Sequence, residues 1–239
     1  MTEPVAELAL LAFMAATLLA GIVMGPAAVL PRALAVALFA LPAAAAFTIP
    51  GPIPALDKYA VVSLPALVLL LAGGKELMRL RPTSCDLLAL AFLGILALAT
   101  LRTQGLYPAG SRVAGVLVSM LLPYLIGRIW VRSPARFEEL LRLFVLLALL
   151  QTPFMVVEFL AGPFVARLVY GLGIDYAQAV RFGFSRPFML LRHPLELGNI
   201  MALALGAALA LRRWRILEGR RRSLWEGPQI AALDRKSVV

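Results

Sequence analysis

The residues with the clearest chemistry are arginines gathered in one short segment of the chain. The segment Pro163–Arg192 carries a single acidic residue, Asp175, against four arginines: Arg167, Arg181, Arg186 and Arg192. A guanidinium group presents planar N–H donors that match phosphate oxygens in a bidentate fork. The segment is therefore a candidate site for an anionic ligand, most naturally a phosphate or a diphosphate. A structural alternative stays open, in which the arginines reach lipid headgroups and stabilise the loop.

Two further ionisable side chains flank the arginine segment. His193, the lone histidine, is followed by Pro194 at the start of an apolar run, so it either orients the loop or contacts a ligand. Glu158 precedes the segment, near the expected end of a membrane span, where an acid is a functional candidate or simply reaches water. Its proximity permits a salt bridge that positions Arg186 or Arg181, and a purely structural role is the alternative.

Composition argues against several other kinds of site. One cysteine, Cys85, and one histidine offer no cluster of metal ligands, so we expect no metal and no cofactor. The net charge of +10 raises the question of nucleic acid, but no nucleic-acid-binding motif is present. The basic residues flank apolar runs instead, which is typical of membrane proteins, and we expect no nucleic-acid partner.

The elements that position these residues are apolar helices long enough to cross a membrane. The chain of 239 residues is 62% hydrophobic and 15% charged, and Leu8–Pro31 and Ala33–Leu56 contain no charged residue. Such runs are apolar all round, and a bilayer takes about 20 apolar residues per helix. The sequence therefore predicts an all-α polytopic membrane bundle of about seven helices. The predicted spans are Val5–Met24, Ala33–Ile49, Ala55–Gly74, Cys85–Leu101, Val113–Val131, Leu140–Ala161 and Pro194–Leu211.

The distribution of Lys and Arg orients this bundle. With a transmembrane domain over 1–211 and a tail over 212–239, sixteen of the 23 basic residues fall on the side of the tail. Because cytoplasmic segments are enriched in Lys and Arg, we expect a cytoplasmic tail, an outer N-terminus and an outer loop over 163–193. If the second span is a re-entrant hairpin, the N-terminus lies inside instead. Within the loop, Phe164–Leu172 has the spacing of a short interfacial helix that Gly171 and Gly173 end.

The last residues, 234–239, are expected to be non-native. They read Asp-Arg-Lys-Ser-Val-Val, which matches a translated sequencing adapter, and the natural protein is then expected to continue beyond about Leu233. A natural basic tail is the alternative. No function is assigned to these residues.

An ordered set of motifs gives the second half of the chain a family resemblance. The pattern Arg186-Pro-(x)5-His193-Pro194-(x)3-Gly198, just before an apolar span, resembles the periplasmic motif of the O-antigen ligase and O-antigen polymerase family. The resemblance extends over about Val113–Leu211. The upstream layout is similar as well, with matching segments at Tyr124–Arg128, Phe137–Glu139 and Val157–Gly162.

The resemblance implies an inner-membrane glycosyltransferase of lipopolysaccharide and polysaccharide biosynthesis. Members of the family use no metal and transfer or polymerise glycans from undecaprenyl diphosphate, on the periplasmic face, onto a lipid, glycan or protein acceptor. The resemblance assigns diphosphate binding to Arg186 first, then to Arg181 and Arg192, with His193 and Glu158 in support. The family's base is a histidine in a later, larger loop, so this chain is expected to be an N-terminal fragment without that loop.

Two other functions stay open. The first is a non-enzymatic transporter or permease subunit, for which repeats and polar groups near the middle of the bilayer are expected. No clear repeat is present, and the charges cluster towards the ends of the spans. The second is a structural membrane module whose outer arginines bind only headgroups.

Overall fold

The fold is an all-α bundle of long apolar helices, as the sequence predicted. The computed structural model describes residues 4–43, 45–46, 57–73, 82–172, 180–181, 184–191 and 193–217. Its apolar helices are α1 (Pro4–Met24), α2 (Pro26–Ala40), α3 (Ala60–Gly73), α4 (Ser84–Gln104), α5 (Leu106–Val116), α6 (Leu122–Trp130), α7 (Pro134–Ala161) and α9 (Pro194–Leu217). A short helix α8 (Val165–Tyr170) and two two-residue strands, β1 (Val180–Arg181) and β2 (Phe184–Ser185), lie between α7 and α9.

Five segments are long and apolar enough to cross a membrane, so this is a multi-pass membrane protein. They are Pro4–Met24, Ser84–Gln104, Leu106–Trp130, Pro134–Ala161 and Pro194–Trp214. The segment Leu106–Trp130 consists of α5 and α6, which a turn of π-helix at Leu117–Leu121 joins. The second and third predicted spans, α2 and α3, are shorter apolar helices, and the 15 residues of α2 rise about 22 Å.

The predicted bounds of the second span are wrong. The sequence placed it at Ala33–Ile49, whereas α2 begins at Pro26 and ends at Ala40. Gly25, with a φ of 87°, turns the chain directly out of α1, and Pro26 suits the first position of a helix. The helix ends before Pro42 because a proline disfavours the helical conformation of the residue before it; Leu41 is extended.

The predicted start of the fifth span is also too late. The sequence placed it at Val113, but the helix begins at Leu106, directly after Gly105, whose φ is 92°. Pro108 lies in the first turn, where its missing N–H costs no intrahelical hydrogen bond, and the charged Arg112 is exposed. Neither residue therefore stops the helix.

Contacts between helix ends define two ends of the bundle, which we call inner and outer after the predicted orientation. At the inner end, Arg32 of α2 binds Glu139 of α7, and Asp86 of α4 binds Arg128 of α6. At the outer end lie the start of α3, the end of α7 and the start of α9. Of the seven predicted spans, five correspond to helices long enough to cross a membrane, and the other two correspond to the shorter helices α2 and α3.

The buried core forms two clusters that share α2. One joins α1, α2, α3 and α6, and Gly21 allows α1 to approach α3, since a Cβ there would lie 2.5 Å from Leu69. The other packs Phe39 of α2 against α7, α8 and the start of α9, with the rings of Phe39 and Phe144 meeting edge to face. The second cluster includes Met189, Leu190 and Leu191, so it packs against the end of the arginine segment.

Candidate functional site

A completely buried carboxylate lies at the centre of the outer end. Glu158, in the last turn of α7, is 0% exposed. Its Oε1 accepts the backbone N–H groups of Phe164 and Val165 at 3.0 and 2.8 Å, and its Oε2 accepts those of Phe188 and Met189, each at 2.8 Å. Burying a carboxylate is costly unless it is hydrogen-bonded, and four N–H donors to one charged group meet that condition.

These four bonds close the arginine segment into a loop. Its first turn and its last turn are both held by Glu158, and the strands β1 and β2 lie between them. The strands pair antiparallel, with Val180 opposite Ser185, and β2 packs against α7. The Ser185 hydroxyl also donates to the Glu158 carbonyl at 3.2 Å. The base of the loop is therefore fixed to the end of one helix.

The role expected for Glu158 is thereby changed. The sequence suggested a salt bridge to Arg186 or Arg181, but both carboxylate oxygens are occupied by backbone N–H groups. Glu158 fixes the main chain close to Arg186, which lies two residues before Phe188. No sequence signal reveals that the partners of Glu158 are peptide groups.

The structure describes the three candidate arginines to different extents. Arg186 directly follows β2, is half-buried, and has no hydrogen-bond or ion-pair partner among the described residues. Arg181 ends β1, where its backbone pairs opposite Phe184. Arg192 and the side chain of Arg181 lie outside the described part of the chain. Arg186 is thus the one of the three whose side chain the structure describes.

Met189 carries backbone strain at the point where the loop is held. Its φ of 53° is the one positive value at a non-glycine position among the described residues. A left-handed conformation costs roughly 1–2 kcal/mol for such a residue. The bond from its N–H to Glu158 offsets that cost.

The predicted interfacial helix is present as α8. It ends at Gly171, whose left-handed φ of 69° is the usual way to terminate a helix; Gly173 lies outside the described residues. Leu168 is 75% exposed, and the Tyr170 hydroxyl donates to the Ala40 carbonyl at 2.7 Å. Burial raises the pKa of Tyr170. The helix is therefore joined to the end of α2 and buries Val165, while Leu168 and Val169 face outwards.

His193 begins the last helix. Its carbonyl accepts the N–H of Glu196 at 3.0 Å, and its Nδ1 accepts the N–H of Leu195 at 3.1 Å. These are the bonds of a helix-capping residue. The imidazole is exposed, so it can also contact a ligand through Nε2.

A second polar cluster at the outer end was missed by the sequence reasoning. Lys58, two residues before the start of α3, is 1% exposed, and its Nζ lies 3.1 Å from Oε1 of Glu196. The Tyr59 hydroxyl donates to the same oxygen at 3.1 Å. Burial lowers the pKa of Lys58, against the opposing effects of Glu196 and Asp57. Burial and the Glu196 carboxylate raise the pKa of Tyr59.

A third polar cluster joins α4 to α6 at the inner end. Asp86 accepts from the Tyr124 hydroxyl at 2.6 Å and from Arg128 Nη2 at 2.7 Å. It also forms a capping box with Thr83 at the start of α4. The spacing of Thr83 and Asp86 before an apolar run was the available signal for it.

The described residues contain no group of three His, Cys, Asp or Glu side chains able to hold a metal ion. The chain matches no family model, no curated protein and no solved structure.

Proposed function

We propose that this protein belongs to the machinery that transfers or polymerises glycans from undecaprenyl diphosphate at the periplasmic face of a bacterial inner membrane. In this proposal it is an O-antigen ligase-like or polymerase-like glycosyltransferase chain. The observation that supports it is the placement of Arg186. Its loop is held at both ends by Glu158, and its guanidinium has no partner among the described residues.

The chemistry of a diphosphate leaving group explains this arrangement. When the bond between the sugar and the diphosphate breaks, negative charge builds up on the bridging oxygen. A guanidinium held in place beforehand stabilises that charge without reorganising at the moment of reaction. Rigid attachment of the loop to α7 provides such preorganisation. Arg181 and Arg192 are proposed to assist, and His193 to contact the substrate from the start of α9.

A binding measurement tests the proposal on this chain. In nanodiscs, Arg186→Ala is expected to weaken binding of undecaprenyl diphosphate at least tenfold, because charge-assisted contacts are worth about 1.5–3 kcal/mol. The matched control is Arg102→Ala, an exposed arginine in the last turn of α4 at the outer end. Equal losses in the two variants would rule out a specific role for Arg186.

A transfer assay tests the activity itself. In a natural protein that contains the later loop, Arg186→Ala is expected to abolish glycan transfer and to leave membrane insertion intact. Unchanged transfer would remove Arg186 from the mechanism.

A further inference from the structure

We infer that the inner end carries a separate binding site for the phosphate group of an anionic phospholipid. The site is a groove of about 160 Å³ between the start of α2 and the corner that joins α6 to α7. Its polar lining comes from Arg32, Arg136 and Glu139, and its apolar lining includes Ala28, Trp130 and Leu140. It lies at the opposite end of the bundle from the arginine loop and does not depend on the proposed function.

The charges in the groove favour an anion. Arg32 donates to Glu139 from both Nε and Nη2, so these two side chains neutralise each other. Arg136 adds an uncompensated charge, and the one bond its guanidinium makes to a described residue is from Nη1 to the Trp130 carbonyl, at 3.2 Å. A guanidinium has five N–H donors, so most of them remain available to a ligand.

Two helices begin at this groove and reinforce the same preference. Ala28 lies in the first turn of α2 and Arg136 in the first turn of α7. Helix N-termini carry partial positive charge and attract anions. The carbonyl of Gly25 accepts the Ala28 N–H at 3.2 Å and the Ser133 hydroxyl accepts the Arg136 N–H at 3.3 Å, so the two helix starts contribute partial positive charge and not free donors.

Trp130 supplies an independent observation. It is 2% exposed, and its indole Nε1–H has no acceptor among the described residues. A buried donor without an acceptor is unfavourable. Trp130 itself lines the groove, and its indole donor finds no acceptor within the described part of the chain.

The position of the groove identifies the source of the phosphate. It lies where the apolar helices α2 and α7 begin, the level at which headgroup phosphates meet a membrane protein. Basic pockets between transmembrane helices bind anionic headgroups. The small apolar walls at Ala28 and Leu140 suit the carbon atoms next to a lipid phosphate, whereas a free phosphate would leave them against water.

Lipid-dependent stabilisation of the purified chain in detergent tests the site. Phosphatidylglycerol is expected to raise the unfolding temperature in a saturable manner, with little effect from phosphatidylcholine or inorganic phosphate. Arg136→Gln should weaken the apparent affinity for phosphatidylglycerol at least tenfold. Ala28→Phe, which fills the groove without changing charge, should abolish the saturable effect.

The matched control is Arg132→Gln, since Arg132 is exposed, lies four residues before Arg136 and does not line the groove. It should change the affinity less than twofold. Equal effects of Arg132→Gln and Arg136→Gln would overturn the site in favour of general surface charge. Stabilisation by inorganic phosphate equal to that by phosphatidylglycerol would overturn the assignment to a lipid.

Discussion

Lys58 Nζ lies 3.1 Å from Glu196 Oε1, which joins the turn before α3 to the first turn of α9 across 138 residues of sequence. The two ends of the pair differ in burial, because Lys58 is 1% exposed and Glu196 is 28% exposed. Water therefore reaches the carboxylate but not the ammonium group. Removing Glu196 and removing Lys58 are therefore expected to lower the unfolding free energy by different amounts.

Removing the carboxylate is expected to cost more than removing the amine. Glu196→Ala leaves a buried ammonium uncompensated and should lower the unfolding free energy by about 3 kcal/mol. Lys58→Met leaves a carboxylate that water partly solvates and should cost about 1 kcal/mol. Unfolding in a titration with a denaturing detergent measures the loss of unfolding free energy in each variant. In the double variant the loss should stay close to that of Lys58→Met, whereas additive losses would mean that the pair does not interact.

The same lysine predicts a dependence on pH. Burial holds the pKa of Lys58 below its ordinary value of 10.5. Between the lowered pKa and 10.5, the unfolded chain binds a proton that the folded protein does not, so stability increases with pH across that window. The unfolding temperature of the wild type should therefore rise relative to that of Lys58→Met as the pH approaches 10.5. A relative fall would mean that folding raises the pKa of Lys58 instead of lowering it.

Neutralising Glu158 is expected to release the arginine loop. Glu158→Gln places an amide N–H₂ against backbone N–H groups and should destabilise the protein by about 3 kcal/mol. The matched control on the same helix is Glu138→Gln, which loses an i,i+4 pair with Arg142 worth about 0.5 kcal/mol. Limited proteolysis should then cut 163–193 in Glu158→Gln alone. Equal resistance in both variants would show that the loop does not depend on Glu158.

The single native cysteine permits a test of orientation. Cys85 is exposed at the inner end of α4, and Gln104 is exposed at its outer end. In intact cells, a membrane-impermeant maleimide should label Gln104→Cys in a Cys85→Ser background and should leave native Cys85 unmodified. Permeabilised cells should label both. The reverse pattern would place the arginine loop in the cytoplasm and remove the proposed function.

The helices of this protein are predictable from sequence, whereas several of their ends are not. Charge-free apolar runs identified every long span, because a helix that is apolar all round has no face suited to water. The start of α2 was missed because Gly25 breaks the run without a charge, and Pro31 lies inside the helix rather than at its end. Glycine and proline have more than one structural meaning, and only packing selects between them.

The sequence singles out residues around the outer loop but does not reveal their hydrogen-bond partners. The spacing of Arg186, His193 and Glu158 drew attention to the outer loop. The partners of Glu158 are peptide N–H groups, however, which every residue except proline carries, so composition gives no sign of them. Lys58 and Glu196 are brought together by the packing of α3 and α9, and a single sequence contains no signal for such a distant pair.

Recognition of main-chain N–H groups by Glu158 separates the shape of the loop from its composition. The side chains at 164, 165, 188 and 189 take no part in those bonds, so the bonds themselves exclude only proline, which has no N–H. Burial in the core is a separate constraint at Val165, Phe188 and Met189. Substitution at an exposed position of the loop, such as Leu168, can therefore alter the surface that the loop presents while its geometry persists.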